Sequence, residues 1–125
     1  MRRKKTLSPL GETEMEVLRE VWTLGAATVA DVHARLNETR PLAYTTVMTV
    51  LRNLADKGFL SAEREGVRDR YRPARSPENV RHSLLRDLIG HAFDGSPLAL
   101  VQTLVREETL SDDERAEIRR LLDSL

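Results

Sequence analysis

The stretch from Leu42 to Pro73, LAYTTVMTVLRNLADKGFLSAEREGVRDRYRP, constrains the fold more than any other part of the chain. Val47, Val50, Leu51 and Leu54 recur at helical spacing and predict a helix from about Tyr44 to Lys57. Lys57-Gly58 stops it, because glycine accepts the left-handed conformation of a helix C-cap. Phe59-Leu60 opens an extended segment, a turn follows around Glu65-Gly66-Val67, and the chain returns through Arg68, Asp69, Arg70, Tyr71 and Arg72. Thr45, Thr46, Thr49 and Arg52 fall opposite the apolar face, with Tyr44 at the helix start. A helix with outward hydroxyls and arginine, followed by a basic hairpin, suits a DNA major groove.

The preceding residues supply two more helices. The first is expected over about Gly11 to Thr23, with Met15, Leu18, Val21 and Trp22 on one side and Gly25 closing it. Thr28 is a suitable N-cap for the second, VADVHARLN, which has Asp31 at its third position and an apolar face of Val29, Val32 and Leu36. Thr39-Arg40-Pro41 then leads to the third. Three helices and a hairpin form the plan of a winged helix-turn-helix, with the second and third helices as the reading pair. Its expected core is Leu18, Trp22, Val32, Leu36, Val50, Leu54 and Tyr71. Residues 1–8 read as a basic arm, with Arg2, Arg3, Lys4 and Lys5 free to reach a phosphate.

Arg75-Ser76-Pro77 predicts a boundary, since Ser76 can cap a helix that has Pro77 at its first position. Ser96-Pro97 repeats the signal, and Ser111 with Glu114 makes a capping box for a last helix. The expected fold is therefore mainly α (α+β). Residues 1–75 form a winged-helix domain and residues 76–125 a helical domain. The second carries 16 large apolar residues from Val80 to Leu125, yet three short helices cannot readily close a core alone. They pack either on the first half or on a second copy. A dimer is favoured because it also sets two reading helices at a fixed spacing on DNA. Its expected contacts are Leu84, Leu85, Leu88, Leu100, Val101, Leu104, Ile118, Leu121 and Leu122.

Charge agrees with this division. Residues 1–75 hold 14 Lys/Arg against 10 Asp/Glu, and residues 76–125 hold 6 against 10. The basic half attracts phosphate and the acidic half is repelled by it. The hairpin arginines Arg64, Arg68, Arg70 and Arg72 suit phosphate contact or protection of a strand edge, with Glu63, Glu65 and Asp69 diluting their charge.

The chain has no cysteine, which excludes disulfides, thiolate metal sites and cysteine nucleophiles. His33, His82 and His91 lack metal-ligand spacing, so no metal and no cofactor is expected. No nucleophile elbow or phosphate-binding glycine loop occurs, which argues against an enzyme. The N-terminus lacks an apolar signal core, and no apolar run approaches the ~20 residues of a membrane helix. The expected location is the cytoplasm, with no membrane insertion.

The motifs LGETEMEVLREVW, TVADVHARL, AYTTVMTVLRNLADKGFL, RYRP and SDDERAEIRRLLDSL, in this order, resemble the penicillinase repressor (BlaI/MecI) family of bacterial regulators. The resemblance covers about Leu7 to Leu125. It implies a homodimeric repressor that binds dyad-symmetric double-stranded operators of β-lactam resistance or other stress genes. It also implies inactivation by a membrane sensor protease, as in some members, or by another protein. Some members are cut at an Asn-Phe bond; the matching pair here is Thr103-Leu104, a departure that bears on that mechanism. A copper-responsive branch uses C-terminal cysteines, which this chain lacks. The alternative reading is a winged-helix protein–protein module without DNA binding, which salt-dependent DNA binding would exclude.

Overall fold

Three helices, α1 (Glu12–Leu24), α2 (Val29–Leu36) and α3 (Tyr44–Asp56), precede a hairpin of β1 (Leu60–Glu65) and β2 (Arg68–Pro73). Then come α4 (Pro77–Ala92), α5 (Pro97–Glu107) and α6 (Asp112–Asp123). The structure, a computed structural model, describes residues 10–107 and 109–125. The basic arm Arg2, Arg3, Lys4 and Lys5 lies outside them. The chain divides into two units, the first ending at Leu85 and the second running from Arg86 to Leu125.

The first unit is built around one apolar cluster. Val17, Leu18 and Val21 of α1, Val32 and Leu36 of α2, and Val47, Leu51 and Leu54 of α3 are buried in it. Phe59, Leu60 and Tyr71 bring the hairpin onto the same cluster. Trp22 and Val50, expected in the core, sit at its rim and are only partly buried. Val17 takes the inward place on α1, which turns the indole toward the edge. There Arg81 lies over the Trp22 ring, 5.9 Å from its centroid.

Local signals set the ends of these elements. At α2, the Thr28 hydroxyl accepts from the Asp31 N–H at 3.2 Å, and the Thr28 N–H donates to the Asp31 carboxylate at 3.0 Å. At the end of α3, the N–H of Gly58 donates to the Ala55 carbonyl and that of Phe59 to the Leu54 carbonyl. This is a Schellman closure, and it needs the φ of +88° that Gly58 adopts. The hairpin pairs Leu60 with Pro73 through Glu65 with Arg68, and Gly66 turns it at φ +64°. Tyr71 then exchanges both backbone hydrogen bonds with Ala27, at 2.9 and 2.7 Å. That bridge fixes the wing beside the start of α2.

The start of α4 belongs to the winged-helix core. Val80 is fully buried in the cluster and Leu84 packs against it. Arg75 reinforces this, donating to the Asn79 side chain at 2.6 Å and lying over the Phe59 ring at 5.1 Å. The expected boundary at Arg75-Ser76 marks the helix start, with the Ser76 hydroxyl accepting from the Asn79 N–H. The unit continues for ten residues beyond Arg75, to Leu85. Leu84, expected at a dimer contact, is thus a neighbour of the winged-helix core.

In the second unit, the Ser96 hydroxyl caps α5 through the Ala99 N–H, and Ser111 and Glu114 cap α6 reciprocally. Among its described residues none is buried. Leu98, Val101, Leu104, Val105, Leu121 and Leu122 are all exposed by 42–65%.

Candidate nucleic-acid interface

Thirteen residues of α3 divide cleanly into two faces. Val47, Leu51 and Leu54 point inward and have no exposed surface. Thr45, Thr46, Thr49 and Arg52 are exposed, and Tyr44 is 48% exposed at the helix start. The spacing of 3.6 residues per turn produces this division directly. Met48 is part-buried between the two faces.

An open cleft of about 350 Å³ adjoins this helix. The start of α2 lines it through Thr28, Val29 and Ala30, α3 through Tyr44, Met48 and Arg52, and the hairpin through Arg64, Arg68 and Tyr71, among others. Tyr44, Met48 and Arg52 are successive i, i+4 neighbours, so they form one stripe down α3. Burial pushes the Tyr71 phenol up, as does the Asp69 charge, while the Arg52 guanidinium beside it acts in the opposite sense. Tyr71 therefore stays a neutral hydroxyl at the base of a cationic cleft. The Asp31 carboxyl is held below the usual carboxylate range, first by the hydrogen bond from the Thr28 backbone and further by the charges of Arg70 and Arg68.

The hairpin arginines differ from one another. Arg70 pairs with Glu65 at 3.0 Å, Arg64 with Asp69 at 3.4 Å and Arg72 with Glu63 at 3.8 Å. Arg68 has no ion pair within 4 Å among the described residues, and it is exposed at the start of β2. Exposed ion pairs are weak, about 0–1 kcal/mol, so a phosphate can compete for the three paired arginines. Arg68 needs no such exchange.

The site residues expected from sequence fall into three groups. Tyr44, Thr45, Thr46, Thr49, Arg52, Arg68 and Arg70 lie on α3 and the wing of the first unit. Leu84 packs on the core of that unit, and Leu85 is exposed at its end. Leu88, Leu100 and Ile118 are half-buried in the second unit, whereas Val101, Leu104, Leu121 and Leu122 are exposed. Thr103-Leu104 lies inside α5, with Thr103 exposed. Sequence reasoning named α2 as one of the reading pair but not its cleft residues Thr28, Val29 and Ala30, and it missed the contact of His33, whose ring meets Tyr44 edge-on at 5.5 Å. Contacts between α2 and the start of α3 leave no periodic trace that would have identified them. No cluster of potential metal ligands occurs among the described residues.

A helix pair followed by a two-stranded wing defines a winged helix-turn-helix protein. The solution structure of the DNA-binding domain of the repressor BlaI has the same fold, with a TM-score of 0.52 and 25% identity over 61% of this chain and 93% of that one. The family described as penicillinase repressor matches residues 10–124. The chain also shares 36% identity over 121 residues with the transcriptional regulator BlaI of Mycobacterium tuberculosis, covering 95% of this chain and 86% of that one. It is 23% identical over 114 residues to the methicillin resistance regulatory protein MecI of Mammaliicoccus sciuri, covering 91% and 93%. The chain belongs to the penicillinase repressor family.

Proposed function

We propose that this chain is a DNA-binding transcriptional repressor that reads a dyad-symmetric operator as a homodimer. The observation that carries the reading is the exposed Thr45, Thr46, Thr49 and Arg52 face of α3, flanked by a wing that presents Arg68. Hydroxyl, methyl and guanidinium groups suit base edges and phosphates alike. Tyr44, Arg68 and Arg70 take the backbone on either side of the groove. The apolar residues Val101, Leu104, Leu121 and Leu122 take a second copy, which converts two weak half-site contacts into one linked event. The protein acts in the cytoplasm and catalyses no reaction.

Release from DNA acts on the dimer. A cut near Thr103-Leu104 within α5 removes the apolar contacts of that helix and everything after it, so the reading heads bind independently. A membrane sensor protease, or a protein that covers the same surface, produces this effect without altering α3.

The test is selection of genomic fragments by the purified chain, followed by titration of the recovered duplex and a random one across salt concentrations. Specific affinity on the order of nanomolar, at least ~10³ tighter than random DNA and falling steeply with salt, is the expected result. Equal affinity for both duplexes contradicts the reading, as does a monomer at micromolar concentration in light scattering.

A further inference from the structure

α3 differs from the other helices at its first turn. Side chains from Thr28, Ser76, Ser96 and Ser111 cap α2, α4, α5 and α6, and Glu14 reaches back to the Gly11 N–H of α1 at 3.0 Å. The N-cap of α3 is Ala43, and among the described residues no side chain caps it. Nor does its first turn hold an acidic residue to complement the helix dipole. The helix that would read DNA is therefore the one without its own device for fixing where it begins.

α2 supplies that device from outside. His33 Nε2 lies 2.9 Å from the carbonyl oxygen of Leu42. A carbonyl only accepts, so Nε2 carries the hydrogen and donates it. Four residues along the same face of α2, the Asn37 side-chain oxygen accepts the Leu42 N–H at 3.4 Å. Both backbone groups of Leu42 are thus held by one helix face, two residues before α3 begins. The Leu42 side chain packs on the core, so this residue is anchored on a further side. The His33 ring also meets the Tyr44 ring edge-on, with centroids 5.5 Å apart. Tyr44 lines the cleft, so the contact continues directly into the reading surface.

We propose that His33 and Asn37 are positioning residues that set the start and the rotation of the reading helix by clamping the backbone of Leu42. Neither needs to touch DNA. A helix turns 100° per residue, so a small shift of its start redirects Thr45, Thr46 and Thr49 away from the bases they face. The proposal rests on the DNA-reading role of α3, but the clamp itself can be tested without DNA.

The first measurement is amide hydrogen exchange on the full chain. His33→Ala should speed exchange of the Val47 amide, which makes the first helical bond of α3 to the Ala43 carbonyl, by roughly 3- to 10-fold, the effect of one net hydrogen bond, and leave α1 unchanged. His33→Gln places an amide N–H near the same carbonyl and should restore protection. The second measurement is the affinity ratio between the operator duplex selected by the wild-type chain and a random duplex. That ratio should fall by a similar factor in His33→Ala and in Asn37→Ala, with the salt slope unchanged, and recover in His33→Gln. Faster exchange throughout the unit, or equal losses on both duplexes, would mean that the pair serves general stability and overturns the proposal. Failure of His33→Gln to rescue either readout overturns it too. A wild-type chain without operator preference sinks the DNA reading alone, and exchange then decides the clamp.

Discussion

Shortening Val80 to alanine tests where the winged-helix unit ends. Val80 has no exposed surface and lies among residues from the first three helices and the wing. Val80→Ala removes two methyl groups, each worth ~0.8 kcal/mol when buried. A residual cavity adds to this, because neighbours held by Tyr71 and the Arg75 contacts collapse incompletely, for a total of about 2 kcal/mol. In a unit of this size each kcal/mol shifts the midpoint by roughly 4–8 °C, so the melt should fall by about 10–15 °C. The single tryptophan, Trp22, sits at the rim of the same core and reports its unfolding by fluorescence. Val67→Ala, at a turn position 88% exposed, is the control and should change stability by less than ~0.5 kcal/mol. Melts within 3 °C of each other, with that margin set at roughly the ±0.5 kcal/mol expected of surface changes, refute the placement of Val80 in this core. A loss that instead depends on protein concentration would assign Val80 to contact between copies.

Three further outcomes follow from the site and the second unit. Arg68→Ala should weaken operator and random DNA alike and lower the salt slope by about one, and a change confined to the operator would mean base contact instead. Asp31 has a lowered carboxyl pKa, so its contribution to stability is present above the usual carboxylate range and is lost as pH falls through the lowered value. Urea titrations of Asp31→Asn and wild type should therefore differ most at neutral pH and converge in acid, whereas a constant gap would contradict the linkage. Leu104→Asp on the open face of α5 should give a monomer by sedimentation while leaving the Trp22 melt unchanged, and an intact dimer would place the interface elsewhere.

Much of this was legible because it is local. Thr28 with Asp31, Ser76-Pro77, Ser96-Pro97 and Ser111 with Glu114 are caps whose partners lie three residues away, and each starts a helix where expected. Gly58 and Gly66 likewise marked a helix end and a turn, and both adopt positive φ. The exposed face of α3 followed from its period alone. Contacts across the fold left no such trace. Nothing in the sequence around Val80 distinguishes a residue that joins the winged-helix core from one that awaits a partner, and the first unit runs on to Leu85. The hairpin arginines read as one basic group, although three of them pair with carboxylates across the hairpin, and Arg70 takes Glu65, the residue that register sets opposite Arg68. The place of His33 was not legible because its partner, Leu42, contributes only a backbone carbonyl.

The composition of α3 carries a cost that the rest of the unit offsets. Thr45, Thr46, Val47, Thr49 and Val50 are β-branched and lose side-chain freedom in a helix, and the first turn has no cap of its own. Val47, Leu51 and Leu54 hold the helix through the core instead. A surface chosen for stability would place Ala, Glu or Lys at the exposed positions. Thr49→Ala should therefore stabilise the unit, by up to about 0.5 kcal/mol of helix propensity, because no buried contact is lost. The same change should reduce operator preference by roughly 1–3 kcal/mol if the hydroxyl or methyl reads a base. Stability and discrimination then move in opposite directions, which urea titration and competitive DNA binding measure separately. A Thr49→Ala chain that is less stable would show that the threonine serves the fold. One that is more stable yet equally selective would remove Thr49 from the reading surface.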